Sequence, residues 1–388
     1  MEKNNKTLNV PNLRFPEFSG EWEKCKVFDL LDFYSTNSLA WEQLEYGAKG
    51  LKNLHYGLIH NGLATCVDVD AADLPTIKES CVPKKYTLCK EGDVAFADAS
   101  EDTNDVAKCV EFTNCTEDNM VCGLHTIHGR DKSSKTVIGF KGYAFSAQSF
   151  RHQIRRLAQG TKIYSINSKN FSECFIGIPS KEEQSKIATL LYLIDQRIET
   201  QKKIIEKYES LIRGICKKLT RQGAANKAIN ECLECHSSTL QESSILENGK
   251  HPVYGATGVC GYTDSNDISD DSILIIKDGA SVGTTYYASG YYSHIGTLNR
   301  LTAREGVNLR YIYYCLKVMN FAPYKTGLAI PHIYFKDYGK HKIWCPPHEQ
   351  QSYIANILTQ IDDKIQVEKS LLEQLNSQKR YMLHQLFI

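Results

Sequence analysis

Two stretches of the chain place apolar residues at alternating intervals of four and three positions, the pattern of a helix with a single apolar seam. The first seam follows Pro179 and consists of Ile187, Leu191, Ile194, Ile198, Ile205, Tyr208, Ile212, Ile215 and Leu219. The second follows Pro346 and consists of Ile354, Leu358, Ile361, Ile365, Leu372, Leu375, Met382 and Leu386. A seven-residue repeat sustained over more than four heptads predicts a coiled coil between the two helices. The alternative is two separate amphipathic helices, each packed on its own core.

The second helical segment is a copy of the first. The sequences that begin at Gly160 and Gly327, 167 residues apart, keep one register without a gap to Leu219 and Leu386. Matched positions repeat a proline, a glutamate, a Gln-Ser pair, an Ile-Ala pair and an Ile-Asp pair. Unrelated segments do not hold one register over such a length, so we infer an internal duplication.

Each helix is preceded by a region in which short apolar strands alternate with glycine turns. In the first region, a strand within 92–98 is followed by two more strands and a helix around Phe145 to Ala158. In the second, a strand within 272–279 is followed by two more strands and a helix around Leu309 to Lys317. The order of elements agrees although the residues differ. This order predicts an α/β (α+β) fold with two similar mixed domains.

The predicted organisation has four segments. Residues 1–180 form a first globular domain, 181–222 the central helix, 223–347 a second globular domain and 348–388 the C-terminal helix. If a pseudo-twofold axis relates the two halves, the second helix runs back along the first. The helices then form an antiparallel coiled coil and the arrangement is circular.

Composition narrows the possible functions only a little. Lys and Arg number 46 against 45 Asp and Glu, so a nucleic-acid partner would require a local basic groove. No stretch approaches the roughly 18 apolar residues of a membrane span, and the first residues lack the apolar core of a signal peptide. We therefore expect a cytoplasmic protein without a membrane partner, in which most of the fourteen cysteines are reduced thiols.

Catalytic motifs are missing from the sequence. It contains no phosphate-binding G-x-x-x-x-G-K-[ST] loop, no methyltransferase tetrapeptide of the N-P-P-[FY] type, no H-E-x-x-H and no G-x-S-x-G. The run Cys232-Leu-Glu-Cys235-His236 matches the haem-attachment pattern, but that chemistry requires export. The set Cys109, Cys115, Cys122 and His125 has irregular spacing for zinc. We assign no catalytic residue and no metal site, and a redox or metal enzyme remains a minor alternative.

Basic residues gather at two places that match between the halves. The first group is Arg151, Arg155 and Arg156 near His152, with Lys162 just after; the second is Lys277, His294, Arg300 and Lys325. A solvated charged face explains either group alone. Their recurrence favours contacts to nucleic acid, because arginine forks suit phosphates and guanine edges.

These features together resemble the DNA specificity subunits of type I restriction-modification systems. The resemblance rests on VPNLRFPEFSGEW at 10–22, GDVAFADASED at 92–102, GLHTI at 123–127, PVYGATG at 252–258, KDGASVG at 277–283, IPH at 330–332 and the Pro-x-x-Glu-x-Gln start of each helix. It covers essentially the whole chain. Lys277 stands where many members carry arginine, which keeps the charge and loses the bidentate fork.

The resemblance implies that each globular domain reads one half of a split double-stranded DNA target. The helices would set the spacing and dock two methyltransferase subunits, with Ile187, Leu191, Ile194, Ile198, Ile354, Leu358, Ile361 and Ile365 as docking and coiled-coil positions. The candidate DNA contacts are Ser100, Lys108, His125, Arg151, Arg155, Lys162, Lys277, Ser281, His294, Arg300 and Lys325. The chain would catalyse nothing and bind no cofactor. S-adenosylmethionine, ATP and Mg²⁺ would belong to the methyltransferase and restriction-translocase partners. The alternative function is a coiled-coil scaffold without DNA readout.

Overall fold

The computed structural model describes residues 9–115, 119–265, 268–327 and 329–388. Before the first long helix lie the strands β1 (Glu23–Lys26), β2 (Leu31–Tyr34), β3 (Leu44–Glu45), β4 (Lys52–Leu54), β5 (Cys66–Asp68), β6 (Thr76–Ile77), β7 (Val94–Ala97), β8 (Ala99–Ser100), β9 (Cys109–Thr113), β10 (Met120–Cys122), β11 (Thr126–Asp131), β12 (Tyr164–Ser165) and β13 (Phe175–Ile178). The helices of this part are α1 (Val27–Leu30), α2 (Tyr56–His60), α3 (Phe140–Ser146), α4 (Gln148–Leu157) and α5 (Ser168–Ser172), and α6 (Lys181–Leu219) follows.

The remainder of the chain repeats this plan with fewer elements. Its strands are β14 (Lys227–Ala228), β15 (Leu233–Ser237), β16 (His251–Gly255), β17 (Gly258–Thr263), β18 (Ser272–Ile276), β19 (Thr285–Ala288), β20 (Ser293–His294), β21 (Leu298–Ala303) and β22 (Lys342–Ile343). Its helices are α7 (Ile229–Cys232), α8 (Leu309–Lys317), α9 (Phe335–Tyr338) and α10 (His348–Gln385).

The chain forms two compact units, and each contains parts of both long helices. Unit 1 comprises the residues up to Gln201 together with Leu372–Ile388, and unit 2 comprises Lys202–Leu371. The mixed α/β class predicted from the sequence is confirmed. The boundaries between the two units fall within the long helices. This division does not test the boundaries of the four predicted segments, which stay predictions.

Unit 1 is built around a five-stranded mixed sheet with the order β2-β11-β7-β9-β5. All four residues of β7 are buried, as a strand covered on both faces requires. A second sheet has the order β10-β4-β6-β3, and the short pairs β1-β13 and β12-β8 complete the unit. Phenylalanines from β7, α3, α4 and α5 pack edge to face beside the larger sheet. The ring centroids of Phe96 and Phe145 are 4.9 Å apart.

Unit 2 has a smaller sheet with the order β15-β21-β18-β19, beside β17-β16-β20 and the pair β14-β22. All five residues of β18 are buried. Helix α8 packs its tyrosines into this core, where Tyr311 donates a hydrogen bond to the Trp344 carbonyl at 2.6 Å. The predicted α8 span, Leu309 to Lys317, is confirmed.

The two long helices run antiparallel within each unit. In unit 1, Lys379 of α10 pairs with Asp195 of α6 at 2.6 Å. Nearer the start of α6 and the end of α10, the N-terminal segment bridges them, because Arg14 pairs with Glu183 and the Leu13 amide donates to the Gln385 carbonyl. In unit 2, Lys369 pairs with Glu209 at 2.6 Å. The helices contain 39 and 38 residues, and the prediction of two long helices is confirmed.

Each long helix is held to its own unit by the same duplicated glutamine. Gln184 accepts a hydrogen bond from the Val137 amide at 2.9 Å and donates one to the Pro179 carbonyl. Its counterpart Gln351 accepts from the Asn308 amide at 2.9 Å and donates to the Pro346 carbonyl. Both side chains are buried. The Pro-x-x-Glu-x-Gln motif is therefore a clamp that fixes the first helical turn against the sheet domain.

The helix predicted around Phe145 to Ala158 corresponds to α4, and a separate helix, α3, comes directly before it. Ala147 has an extended backbone (φ −64°, ψ 150°), so α3 ends at Ser146 and α4 begins at Gln148 in a new direction. The Ser146 hydroxyl donates to the Gly142 carbonyl at 2.7 Å, which occupies a backbone acceptor at the end of α3. Among the described residues, no helix is both long and apolar enough to cross a membrane.

Candidate nucleic-acid interface

A tight loop occurs twice: the first spans positions 159–165, and the second spans 326–332, of which the structure describes 326–327 and 329–332. Backbone bonds join Gln159 to Ser165 at 3.0 and 2.8 Å, and Thr326 to His332 at 2.9 and 2.8 Å. Gly160 and Gly327 have positive φ angles of 139° and 87°. A Cβ at either glycine would collide with the loop's own backbone, so the turn requires glycine. The duplicated sequence thus produces a duplicated loop geometry.

An isoleucine stands exposed in each loop, at matched positions. Ile163 is 62% exposed and Ile330 is 58% exposed. Each loop lies beside the end of the central strand of its unit, because the Ile166 amide donates to the Asp98 carbonyl and the Ile333 amide donates to the Lys277 carbonyl. Exposed Lys162 and Lys325 accompany the two isoleucines.

An aspartate after each central strand pairs with a histidine. Asp98 lies 3.1 Å from His125 Nδ1, and Asp278 lies 3.1 Å from His332 Nδ1. The histidines come from different elements: His125 precedes β11 in the left-handed conformation (φ 53°), whereas His332 belongs to the duplicated loop. Both rings are partly exposed. The equivalent edge of each unit therefore presents a histidine that an aspartate orients, although the two histidines come from different elements of the fold.

Aromatic rings surround the histidine of unit 1. The Tyr56 ring lies edge to face on His125, with centroids 5.2 Å apart. His60 contacts the Ala99 carbonyl at 2.9 Å, and Lys108 donates to the His60 carbonyl at 3.2 Å. Ser100 accepts a hydrogen bond from the Asp102 amide at 3.1 Å and pairs with Tyr164 of β12. The predicted residues Ser100, Lys108, His125 and Lys162 thus lie around one part of unit 1.

The corresponding part of unit 2 contains Lys277, Ser281 and Arg300. Ser281 is exposed in the turn between β18 and β19, close to Lys277. Arg300 of β21 is partly buried and lies 3.5 Å from the Ser272 hydroxyl. A cavity of about 470 Å³ opens nearby, and hydroxyl residues line much of it, together with His294.

The structure places His294, one of the predicted DNA contacts, inside unit 2. His294 is only 4% exposed, because the short strand β20 places its ring inside the unit. Burial, aided by the charges of Arg300 and Lys277, lowers its pKa to about 4. The ring is therefore neutral at physiological pH and offers no charge to a phosphate.

The arginines of α4 contact the chain itself. Arg151 is largely withdrawn from solvent and donates to the Asn104 carbonyl, and Arg155 donates to the Asn104 side chain at 3.3 Å. Burial lowers the pKa of Arg151 to about 10. Both arginines therefore bond Asn104 of the segment between β8 and β9, and their contact with DNA stays a prediction.

A sequence model of the type I restriction modification DNA specificity domain matches residues 115–210 and 225–377, more than half of the chain. The chain belongs to the type I specificity subunit family. Both matched segments include a sheet region and most of a long helix.

Individual relatives match this specificity subunit over different lengths. A putative type I specificity subunit of Mycoplasma genitalium is 26% identical over 272 residues, 64% of this chain and 70% of that protein. The type I restriction enzyme MjaVIII specificity subunit of Methanocaldococcus jannaschii is 32% identical over 31% of this chain, which spans only 29% of that protein. A crystal structure of an S subunit from M. genitalium has the same fold, with a TM-score of 0.61 at 20% identity over 98% of this chain and 99% of that one. A second structure, from work on assembly of a type I system, gives 0.55 at 14% identity over 93% of this chain and 96% of that one.

The predicted docking positions of this specificity subunit lie inside its own units. Ile187, Leu191, Ile194 and Ile198 are buried in unit 1, and Ile354, Leu358 and Ile365 are buried in unit 2, with Ile361 half-buried. These side chains hold the helices to their units. The exposed apolar residues of the helices are instead Tyr192, Leu193, Ile204, Leu211, Tyr353, Val367 and Tyr381.

Sequence reasoning missed Asp98, Asp278 and the role of the two glutamines. The signal for Gln184 and Gln351 was present in the constant repeat register. The partners of the aspartates come from distant segments, 27 and 54 residues away, so only the folded chain reveals the pairs.

Proposed function

We propose that each unit of this specificity subunit reads one half of a split double-stranded DNA target. The duplicated loop, the central strand end and the Asp–His pair would form the reading edge of each unit. The helices would set the distance between half-sites and dock two methyltransferase subunits through their exposed apolar residues. The alternative function is a coiled-coil scaffold without DNA readout, and methylation by variant chains distinguishes the two.

One observation carries this proposal. In both units the same pair of backbone hydrogen bonds closes the loop at matched positions, but the side chains differ, with Ser165 in one loop where His332 stands in the other. Two domains that recognise different base sequences need different polar side chains on a shared scaffold, because base edges are distinguished by their donors and acceptors.

Catalysis would belong to the partners. Methyltransferase subunits would supply S-adenosylmethionine, and restriction-translocase subunits would use ATP and Mg²⁺. The chain itself would hold none of these three groups, and it would act in the cytoplasm, where these partners and the DNA are found.

The decisive experiment is single-molecule sequencing of methylated adenines in cells that express the complete system with variant chains. We expect His125→Ala to relax or abolish one half of the methylated motif and His332→Ala to affect the other. Exposed His384 of α10 provides a control, and His384→Ala should leave both halves unchanged. If both variants alter the same half, or neither alters any, the units do not read DNA as proposed.

A further inference from the structure

Three potential metal ligands meet in the interior of unit 1. The donor atoms of Cys89, Cys122 and His128 lie within 4.8 Å of one another, and all three residues are buried. The two sulfur atoms are 3.6 Å apart. Cys122 ends β10 in the four-stranded sheet, whereas His128 lies in β11 of the five-stranded sheet. The cluster therefore stands at the junction of two sheets.

A buried carboxylate holds the histidine ring. His128 Nε2 lies 2.7 Å from Asp93, and Arg130 binds the same carboxylate through two nitrogens at 2.7 Å. With the Asp93 carboxylate as acceptor, Nε2 is the donor, and a neutral His128 ring then has its lone pair on Nδ1. Within the described part of the chain, Nδ1 has no hydrogen-bond partner, and the side chain is 0% exposed. Metal-binding histidines commonly donate their second nitrogen to a carboxylate in this way.

The sulfur separation suits a shared metal ion. Two thiolates that bind one tetrahedral Zn²⁺ at about 2.3 Å lie roughly 3.8 Å apart. Two thiols in simple contact would lie at a similar distance, so the unpartnered nitrogen of His128 is the second observation on which the inference depends. Two sulfurs and one imidazole form a soft donor set, which favours zinc or copper(I) over Mg²⁺ or Ca²⁺.

We propose that Cys89, Cys122 and His128 bind one thiophilic metal ion, Zn²⁺ or Cu⁺, that joins the two sheets of unit 1. Binding would release the protons of both thiols, and the metal would be held by two thiolates and a neutral imidazole. Along the sequence, Cys122 stands near Cys109, Cys115 and His125, whose spacing is irregular for zinc. The structure groups Cys122 with a different cysteine and a different histidine.

The site would also support DNA reading, a consequence that rests on the proposed function. Cys122 and His128 flank the segment 123–127, which presents His125 in its left-handed conformation. A metal bound to both flanks would restrict the position of His125. Metal loss is then expected to affect the half-site read by unit 1 and to spare the other.

The test measures metal on the full chain without DNA or partners, so its result is independent of the proposed function. The chain is purified anaerobically with a non-chelating phosphine reductant, and zinc and copper are determined by mass spectrometry before and after incubation with each ion. We expect about one equivalent of one metal in the wild type. The variants Cys89→Ser, Cys122→Ser and His128→Asn should each lose at least tenfold in affinity. Cys109→Ser, which removes another buried thiol of the same unit, should retain the metal.

A second readout does not depend on variants that fold. Cobalt(II) added to the metal-free wild type should give the near-ultraviolet absorption of thiolate-to-cobalt charge transfer, and zinc should abolish it. A wild-type chain that takes up neither zinc, copper(I) nor cobalt would overturn the proposal. So would equal metal content in the cluster variants and the wild type, or a Cys89–Cys122 disulfide that persists under the reductant.

Discussion

The two units share a frame and differ in what they bury. Unit 1 encloses charged groups: Lys141 and Glu111 pair at 3.0 Å with side chains 3% and 0% exposed, and Asp93 joins His128 and Arg130. Unit 2 fills its largest buried positions with Tyr292, Tyr311, Tyr314 and Tyr338. The elements that the duplication preserved are those that attach each long helix and form the loop. The interiors diverged around them, which shows that the frame does not dictate the core.

The two interiors should also differ in how strongly a single substitution destabilises them. A buried ion pair contributes little net stability but is costly to break from one side, because an uncompensated charge remains in the interior. A tyrosine core loses its stabilisation in smaller steps, one side chain or hydrogen bond at a time. Single charge changes should therefore damage unit 1 more than unit 2.

The largest effect is expected from Lys141→Met. Glu111 would keep backbone amide donors, among them Gly142 at 2.8 Å, but would lose its cationic partner, and unit 1 should lose about 3–5 kcal/mol. The matched change in unit 2 is Lys317→Met, which breaks a more exposed pair with Asp362 at 3.0 Å and should cost about 1 kcal/mol or less. Urea titration followed by limited proteolysis with peptide mapping would report each unit separately.

A double variant sharpens this test. Lys141→Met with Glu111→Leu removes both charges, so much of the lost stability should return. Burial already raises the pKa of Glu111, and in the single variant acidification should recover stability as that carboxyl takes up a proton. Equal losses from Lys141→Met and Lys317→Met would show that the two interiors do not differ as described.

The second prediction concerns what the units have in common. Gln184→Leu and Gln351→Leu each remove the acceptor of one backbone amide and the donor to one proline carbonyl. Each change should cost its own unit about 1–3 kcal/mol in the free energy of unfolding. Gln196→Leu, at an exposed position of α6, provides the control and should cost almost nothing. A cost confined to one unit would contradict a shared clamp.

The smallest effect on folding is expected at the loop tips. Ile163→Ser and Ile330→Ser change exposed side chains, so stability should stay within about 0.5 kcal/mol of the wild type. If the loops contact DNA as proposed, loss of apolar burial should weaken binding of the assembled complex about tenfold in each case. Electrophoretic mobility shift with the methylated motif as probe measures this.

The control for the loop variants is an equally exposed apolar residue away from the proposed reading edge. Phe28 is 60% exposed and its ring contacts Lys132, which follows the end of β11 opposite to His125. Phe28→Ser should therefore leave the affinity for DNA unchanged. Unchanged affinity in both loop variants would exclude the tips from the interface.

The sequence predicted the long helices and the two mixed sheet domains because both depend on periodic or repeated patterns. The seam positions and the duplicated register are properties of neighbouring residues, and the folded chain confirmed them. Exposure was harder to predict. His294 was among the predicted DNA contacts, but the strand β20 places its ring inside the unit. Nothing in the neighbouring sequence indicates that the ring faces inward.

The candidate site was predictable only in part, for the same reason. Arg151 lies on a basic helix face in the sequence, yet a carbonyl 47 residues away accepts its hydrogen bond. The break at Ala147 also escaped the helical pattern, since the apolar spacing continues on both sides of it. Such features depend on distant contacts, which one sequence without relatives does not reveal.

Unit 1 is completed by a segment that the ribosome makes long after the rest of it. Phe387 packs against Trp22 and Phe140 with centroids 6.3 and 5.8 Å apart, and the Ile388 side chain reaches the strand β13 at Gly177. Unit 2 is continuous, so it can finish folding while unit 1 waits for Leu372–Ile388. At about 5–20 residues per second, that wait is roughly ten to thirty seconds. During it, the docking place for Phe387 is open, and the nascent chain carries an apolar surface that a chaperone can bind.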